Sequence, residues 1–433
     1  MDYSKLQNHN MVLGNTLPAH QGAKPEIDEQ TVYTIARAFS AWLRDTLHKS
    51  DVSIAVGCDA RLTSPSLMQA VSDGLVFDGV DVFEAGQAPE PALFMSTVFP
   101  ETSMDGAIMV SGADHPATDN GLRFYISGSQ LDEEELKEVL DRAAHFRFRH
   151  LSNGSVSGID LGRIYADYLK DTILARMDMD VEKPLSGLKV VVDASNGTGG
   201  FFATQILSDL GADITGSVCL EPDGTFPAHE PSIDDEGAIS ILKEAISDNH
   251  AHLGLLIDGD ASNVLILDEN GDKVSRNDLT RLRTYAEQTY DQSASADSGD
   301  LYNVTQMVLE ALHKSVSDLL RDLDKVKQED IASRQSRDAF GPYKEQVLED
   351  LSNYVKESDT LTSVDVKRSS AIITYEEDGK SGRAEVSLCN LPHNIEVRFN
   401  KKSGADPVRV KKELYDFLEQ YPSLILDQLA DNR

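Results

Sequence analysis

Four short, mostly apolar runs, each passing directly into a polar loop that contains glycine, constrain this chain more than any other feature. Residues 52–56, 107–110, 189–193 and 253–257 read as buried strands. They lead into Gly57-Cys-Asp-Ala-Arg61, Ser111-Gly-Ala-Asp-His-Pro116, Ala194-Ser-Asn-Gly-Thr-Gly-Gly200 and Asp258-Gly-Asp-Ala-Ser-Asn263. Short runs without polar alternation suit strands covered on both faces. Helical patterns of about ten residues or more separate them, so a layered α/β fold with a mostly parallel sheet is expected. In such sheets chemistry gathers where strands end and loops begin.

The first unit, 1–152, carries an amphipathic helix at 26–47 (Val32, Ile35, Ala36, Phe39, Trp42, Leu43), a helix at 66–77 and a strand at 81–84. Gly86-Gln-Ala-Pro-Glu-Pro91 opens the next helix. The second unit, 153–275, has a linking helix at 164–177, a helix running up to Leu210, and a strand at 264–267 before the turn Asp268-Glu-Asn-Gly271. From 276 to 340 helix formers and charges dominate. The spacing of Val304, Val308, Leu309, Leu312, Val316, Leu319 and Leu320 predicts one amphipathic helix over 302–327, against the competing reading of an unfolded linker. The last unit, 341–433, reads as a small α+β domain: a helix at 344–357, strands at 364–375, 383–389 and 395–400, and a closing helix at 406–420.

Composition narrows the partners. Lys and Arg number 40 against 73 Asp and Glu, a net charge of −33. Nucleic acid is an improbable partner for such a surface, because phosphate contacts need clustered cations. No apolar run is long enough for a membrane span. The first residues resemble neither a signal nor a transit peptide, so a cytoplasmic or other reducing compartment is expected. Cys58, Cys219 and Cys389 are widely separated, which argues against a disulfide framework or a zinc site.

The loop Val110-Ser-Gly-Ala-Asp-His-Pro-Ala-Thr-Asp-Asn-Gly-Leu-Arg-Phe124 resembles the active loop of the α-D-phosphohexomutases, the phosphoglucomutases and phosphomannomutases. Their pattern is Thr-Ala/Gly-Ser-His-Asn-Pro, followed shortly by Asn-Gly-Phe-Lys. Pro116 and Asn120-Gly121 fix the register. Val56-Gly-Cys-Asp-Ala-Arg-Leu-Thr-Ser-Pro65 is similar to the family's Val-Gly-Arg-Asp-Thr-Arg-Leu-Ser-Ser-Pro, and residues 86–93 to its Gly-Leu-Val-Pro-Thr-Pro-Ala-Leu. Residues 6–14, 195–202 and 220–227 are similar to the plant-type branch. The resemblance implies tandem α/β domains followed by a small C-terminal domain of the TATA-binding-protein type, with 276–340 a helical remnant of a mostly missing third domain.

It also implies a chemistry: phosphoryl exchange between a loop phosphoserine and a hexose phosphate, an intramolecular transfer of carbohydrate metabolism assisted by Mg2+ and cationic clamps. Carried over residue by residue, the parts are depleted. The phosphoserine position is Ala113, which has no side-chain oxygen. The next two positions are Asp114 and His115, and Ser111 is the nearest hydroxyl. In the metal loop Asp258 and Asp260 remain, Ser262 replaces the third carboxylate and Asn263 the Arg. An acidic β-turn explains that loop equally well. Arg61 and Arg123 remain as candidate substrate-binding cations, whereas Leu13 and Cys58 stand where the family has Arg. Ala296-Asp-Ser-Gly-Asp300 faintly echoes the sugar loop through Ser298. The turn 388–394 lacks the family's phosphate-binding Arg.

The implied role is a non-catalytic binding or regulatory subunit, partnered by an active homologue or a second copy, that still binds hexose phosphates. The alternative is a divergent phosphosugar mutase or phosphotransferase using Ser111 or Asp114. A gene product that has lost its third domain is a further possibility.

Overall fold

Asp28 opens the first long helix: its carboxylate accepts the Thr31 amide at 2.8 Å, satisfying one of the donors left over at a helix start. In the computed structural model this helix, α1 (Glu29–Leu47), ends on His48 in the left-handed region at φ 52°. The structure describes residues 2–17, 24–145, 154–175, 183–275, 278–279, 299–323, 332–335, 344–358, 361–366, 370–377, 380–388, 394–400, 408–418 and 420. It divides into two units, Met1–Ala286 with Ser293–Lys325, and Glu287–Gln292 with Val326–Arg433.

The first unit holds two sheets. One comprises β1 (Gln7–Asn8), β2 (Met11–Asn15), β3 (Ser53–Cys58), β4 (Asp81–Gln87), β5 (Gly106–Val110), β6 (Asp119–Ile126), β7 (Ser129–Gln130) and β8 (Val156–Gly158). The order is β1-β2-β6-β5-β3-β4-β8, with β7 paired to β6. Strands β5, β3, β4 and β8 are parallel; β1, β2 and β6 join antiparallel. Alternate residues of the apolar runs serve opposite faces. Ile54, Val56, Ile108 and Val110 pack with α1, α2 (Ser64–Phe77) and α4 (Glu133–His145). Ala55, Ala107 and Met109 pack with α3 (Glu90–Ser96) and α5 (Leu161–Leu174). This double coverage is why the runs lack polar alternation.

The second sheet, β11-β10-β9, is built from β9 (Val190–Asp193), β10 (Leu253–Ile257) and β11 (Val264–Asp268). Strand β10 runs parallel to β9 and antiparallel to β11. Helix α6 (Glu236–Asn249) covers one face through Ile239, Leu242 and Ile246. The segment Phe202–Leu207 is π-helical rather than the regular helix expected up to Leu210.

Where one helix is expected over 302–327 there are two, α7 (Asp300–Ala311) and α8 (Val316–Leu323). Leu301, Val304, Met307, Val308, Val316 and Leu319 are buried in the same core as α5, so described residues 299–323 are packed and not an unfolded linker. Tyr302 stacks on Tyr168 with ring centroids 6.3 Å apart.

The second unit is an antiparallel sheet in the order β12-β16-β15-β14-β13: β12 (Ala332–Gln335), β13 (Leu361–Val366), β14 (Ser370–Glu377), β15 (Lys380–Leu388) and β16 (Asn394–Asn400). Helices α9 (Lys344–Glu357) and α10 (Val408–Leu418) bury Val347, Leu351, Leu414 and Phe417 against Ile373 and Tyr375. The run read as one strand over 364–375 is divided between β13 and β14, which pair as antiparallel neighbours. Strand β12 falls in the stretch read as helical; its Ala-Ser-Arg-Gln carries no apolar alternation, and it is a strand through backbone pairing with β16. No described helix is long and apolar enough to cross a membrane.

Candidate active site

Parallel register brings the loops together. Cys58 lies opposite Val110, and the Asp59 amide donates to the Val110 carbonyl at 3.0 Å, so Asp59 and Ser111 are neighbours one step beyond β3 and β5. In the second sheet Leu256 lies opposite Asp193, the Ser195 hydroxyl donates to the Ile257 carbonyl at 2.6 Å, and the Thr198 amide to the Gly259 carbonyl at 3.1 Å. Gly197 is required there: a Cβ would come within 2.4 Å of the Gly259 oxygen. The two sets of strand ends meet. The Glu90 amide donates to the Asp260 carbonyl at 2.7 Å, and Ser111 Oγ lies 2.6 Å from Asp260 Oδ2.

Ser111 is fully buried. Its Oγ also lies 2.9 Å from Asp59 Oδ2 and accepts the Ala113 amide at 2.8 Å. The hydroxyl therefore knits three segments and has no open face toward a substrate. Ala113 holds a left-handed backbone at φ 53° with only 1% of its surface exposed. That conformation is uncommon for a residue with a Cβ and is held here by its surroundings.

Arg61 supplies much of that hold. Read from sequence as a substrate-binding cation, it turns inward: Nη2 donates to the Ala113 and His115 carbonyls at 2.7 and 2.8 Å, and Nη1 to the Pro116 carbonyl at 2.9 Å. Its Nε donates to Asp59 Oδ2 at 2.9 Å, and neither side chain of this pair is exposed. The planar fork matches three carbonyls and a carboxylate at once, which Lys could not do. Gly112 gives the guanidinium room, since a Cβ there would meet Nε at 2.6 Å. Burial pushes the Asp59 carboxyl upward, partly opposed by Arg61 and the Ser64 hydroxyl.

In the acidic loop, Asp258 accepts the Asn263 amide at 3.1 Å, the Asn263 side-chain nitrogen at 2.7 Å and the Ser262 hydroxyl at 3.1 Å. Asp260 accepts the Ser262 amide at 3.2 Å and the Ser111 hydroxyl, with Arg123 Nη1 at 3.6 Å. Burial and the neighbouring Asp260 drive Asp258 well above the usual carboxylate range. Burial pushes Asp260 the same way, yet Arg123 and Ser111 outweigh it and hold this carboxyl low. Burial works against the Arg123 charge, but Asp260, Glu90 and Asp258 overcome it and keep the guanidinium protonated.

Magnesium needs near-octahedral hard oxygen ligands. Asp258 and Asp260 point every carboxylate oxygen at a protein donor, and the third ligand position is Ser262, whose hydroxyl is directed to Asp258. Among the described residues no third carboxylate, imidazole or thiol converges on this pair. Two carboxylates and one hydroxyl are thus the hard oxygen donors this loop offers, each already bonded within the protein.

The other sequence-derived positions are less engaged. Asp114 is 42% exposed and His115 Nδ1 lies 3.3 Å from it, a charged contact only when the imidazole is protonated. His115 Nε2 stands 3.4 Å from Asn8 Nδ2. Ser298 and most of the turn 388–394 lie outside the described residues. Asp300, at the end of the sugar-loop echo, begins α7 and accepts the Val264 amide at 3.1 Å.

Sequence reasoning missed Asp59, Glu90 and Tyr125. Glu90 lies 3.9 Å from Arg123 and accepts the Tyr125 hydroxyl at 2.5 Å, completing a chain Tyr125–Glu90–Arg123–Asp260 whose two middle side chains are partly exposed. A signal was available: Asp59 directly follows β3 and Glu90 opens α3 just after β4, in the loops where an α/β sheet presents functional side chains.

This α/β fold is that of the phosphohexomutase class. Family models match twice: "Phosphoglucomutase/phosphomannomutase, alpha/beta/alpha domain I" over residues 20–150 and "domain II" over 164–271. The chain belongs to the phosphoglucomutase/phosphomannomutase family. A phosphomannomutase/phosphoglucomutase of Pseudomonas aeruginosa is 31% identical over 265 residues, 60% of this chain and 50% of that protein. A phosphoglucomutase of Neisseria gonorrhoeae is 29% identical over 246 residues, 57% of this chain and 50% of that one. The chain thus spans about half the length of these curated relatives. A solved phosphoglucomutase/phosphomannomutase family protein of Burkholderia thailandensis shares the fold with a TM-score of 0.60 and 19% identity, over 97% of this chain and 98% of that one.

Proposed function

We propose that this phosphohexomutase-family chain does not transfer phosphoryl groups and acts as a non-catalytic binding or regulatory subunit, partnered by an active homologue or a second copy. The observation that carries the reading is Ala113: the position of the family's phosphoserine has no oxygen, and its buried backbone is fixed by Arg61. The acidic loop points the same way, with its carboxylates engaged by internal donors instead of directed at a shared cation, so Mg2+, generally used in this family, has no assigned role here. The similarity of residues 6–14, 195–202 and 220–227 to the plant-type branch supports a kinship with that branch under this proposal.

The rival reading, a transferase built on Ser111, has in its favour the two carboxylates beside that hydroxyl. Against it stand the complete burial of Ser111 and the three partners of its single oxygen. The deciding assay offers glucose 1-phosphate and mannose 1-phosphate with Mg2+ and glucose 1,6-bisphosphate. The expected result is no turnover above background and no phosphate label on the chain. Turnover abolished by Asp258→Ala, or stable label on Ser111 or Asp114, overturns the proposal.

A further inference from the structure

Away from this site, the second sheet brings together three residues of different chemistry. Asp193 ends β9, Cys219 lies on the return segment bridged to it, and His229 stands on the loop before Pro231. One ligand atom from each lies within 4.8 Å of the other two, and among the described residues no other such group of His, Cys, Asp or Glu occurs. The carboxylate is completely buried and the imidazole has 4% exposure, whereas the thiol is half-buried, leaving a way in. The sequence reading discounted a zinc site because the cysteines are far apart; a single cysteine suffices when the fold supplies the other ligands.

The orientation of His229 is the independent observation. Its Nδ1 lies 2.8 Å from the Glu230 carbonyl, which can only accept, so Nδ1 carries a proton. That leaves Nε2 aimed into the cluster, 3.0 Å from Asp193 Oδ2. A ring N–H bonded to a backbone carbonyl, with the opposite nitrogen turned to a shared point, is the usual outer support of a metal-ligating histidine. The Cys219 sulfur lies within 4.8 Å of the Asp193 carboxylate as well, so both neighbours face one carboxylate.

We propose that Asp193, Cys219 and His229 form a site for a divalent transition metal of zinc type, with a fourth position left to solvent. Mixed sulfur, nitrogen and oxygen ligation favours Zn2+ or Co2+ over Mg2+. Binding would displace the protons of the Cys219 thiol and of any protonated His229 Nε2. The ion would fasten the loop carrying His229 to the end of β9. That loop reaches both loops of the candidate site: Glu230 Oε2 accepts the Ala117 amide at 3.2 Å, and the Pro231 carbonyl accepts the Gly259 amide of the acidic loop at 3.2 Å.

The test uses the tag-free, chelator-treated full chain titrated with Co2+ at pH 7.5. The expected result is saturation at one ion per chain, with thiolate-to-cobalt charge-transfer absorption in the near ultraviolet and visible bands of four-coordinate cobalt. Stoichiometric Zn2+ should bleach both, and a hundredfold excess of Mg2+ should not. Cys219→Ser should abolish the near-ultraviolet band. Should that variant fail to fold, the double variant Cys58→Ser/Cys389→Ser, which retains only Cys219, must keep the band. Absence of charge-transfer absorption in the wild-type chain, its loss in the double variant, or its survival in folded Cys219→Ser overturns the proposal.

Discussion

Ser111 Oγ lies 2.6 Å from Asp260 Oδ2, so the loop after β5 is bonded directly to the acidic loop after β10. In a phosphotransfer site these two loops would flank the reacting phosphate. Here a neutral hydroxyl bridges the acidic loop to Asp59, and all three side chains are buried. Ser111→Ala should leave Asp260 and Asp59 without that donor and lower unfolding stability by about 1–3 kcal/mol, measured by urea denaturation. Unchanged stability would show that the bridge contributes nothing.

Ala113→Ser should not restore transfer. The new hydroxyl would sit on a left-handed, buried residue whose carbonyl is fixed by Arg61, beside an acidic loop without its third carboxylate. Incubation with labelled glucose 1,6-bisphosphate should leave the variant as unlabelled as the parent, read by intact-mass spectrometry. A phosphorylated Ala113→Ser chain would show that the absent hydroxyl, and not the surrounding loops, is what keeps the parent unlabelled.

Arg61→Ala should be among the most damaging single changes. It leaves the Asp59 charge buried without its partner and frees three carbonyls, and breaking a buried pair costs about 3–5 kcal/mol. Arg61→Lys should recover little, because an ammonium cannot address four acceptors in the geometry of the fork. Equilibrium denaturation of both variants checks this; a stable Arg61→Ala chain would remove Arg61 as the support of the loop.

The scaffold was legible in the sequence where local rules decide it. The amphipathic helix read over 26–47, the apolar runs at 52–56 and 253–257, and the Gly-rich turn at 194–200 all follow from periodicity and turn chemistry. Contacts that depend on register between distant strands were not. Asp59 meets Ser111 because the parallel neighbours β3 and β5 end at the same height, and Glu90 meets Asp260 because the ends of the two sheets come together. Arg61 was legible as a cation but not as a buried staple, since the carbonyls it binds exist as a set only once the loop 111–118 has folded. The Asp193–Cys219–His229 group escaped notice for the same reason.

The remaining prediction concerns pH. The hydrogen bond to Asp193 raises the His229 imidazole above its usual value; burial opposes this, and the Glu230 carbonyl adds to it. A histidine whose folded value exceeds its unfolded one contributes stability that is fully present below about pH 6.5 and is lost as pH rises through the folded value. In chelator-treated protein, the difference in thermal midpoint between the parent and His229→Gln should therefore be largest below that pH and shrink on the alkaline side. An NMR titration of the ring protons should place the midpoint above the ordinary histidine range. A stability gap that widens toward alkaline pH would mean that the neutral ring, and not the imidazolium paired with Asp193, is the form the fold prefers.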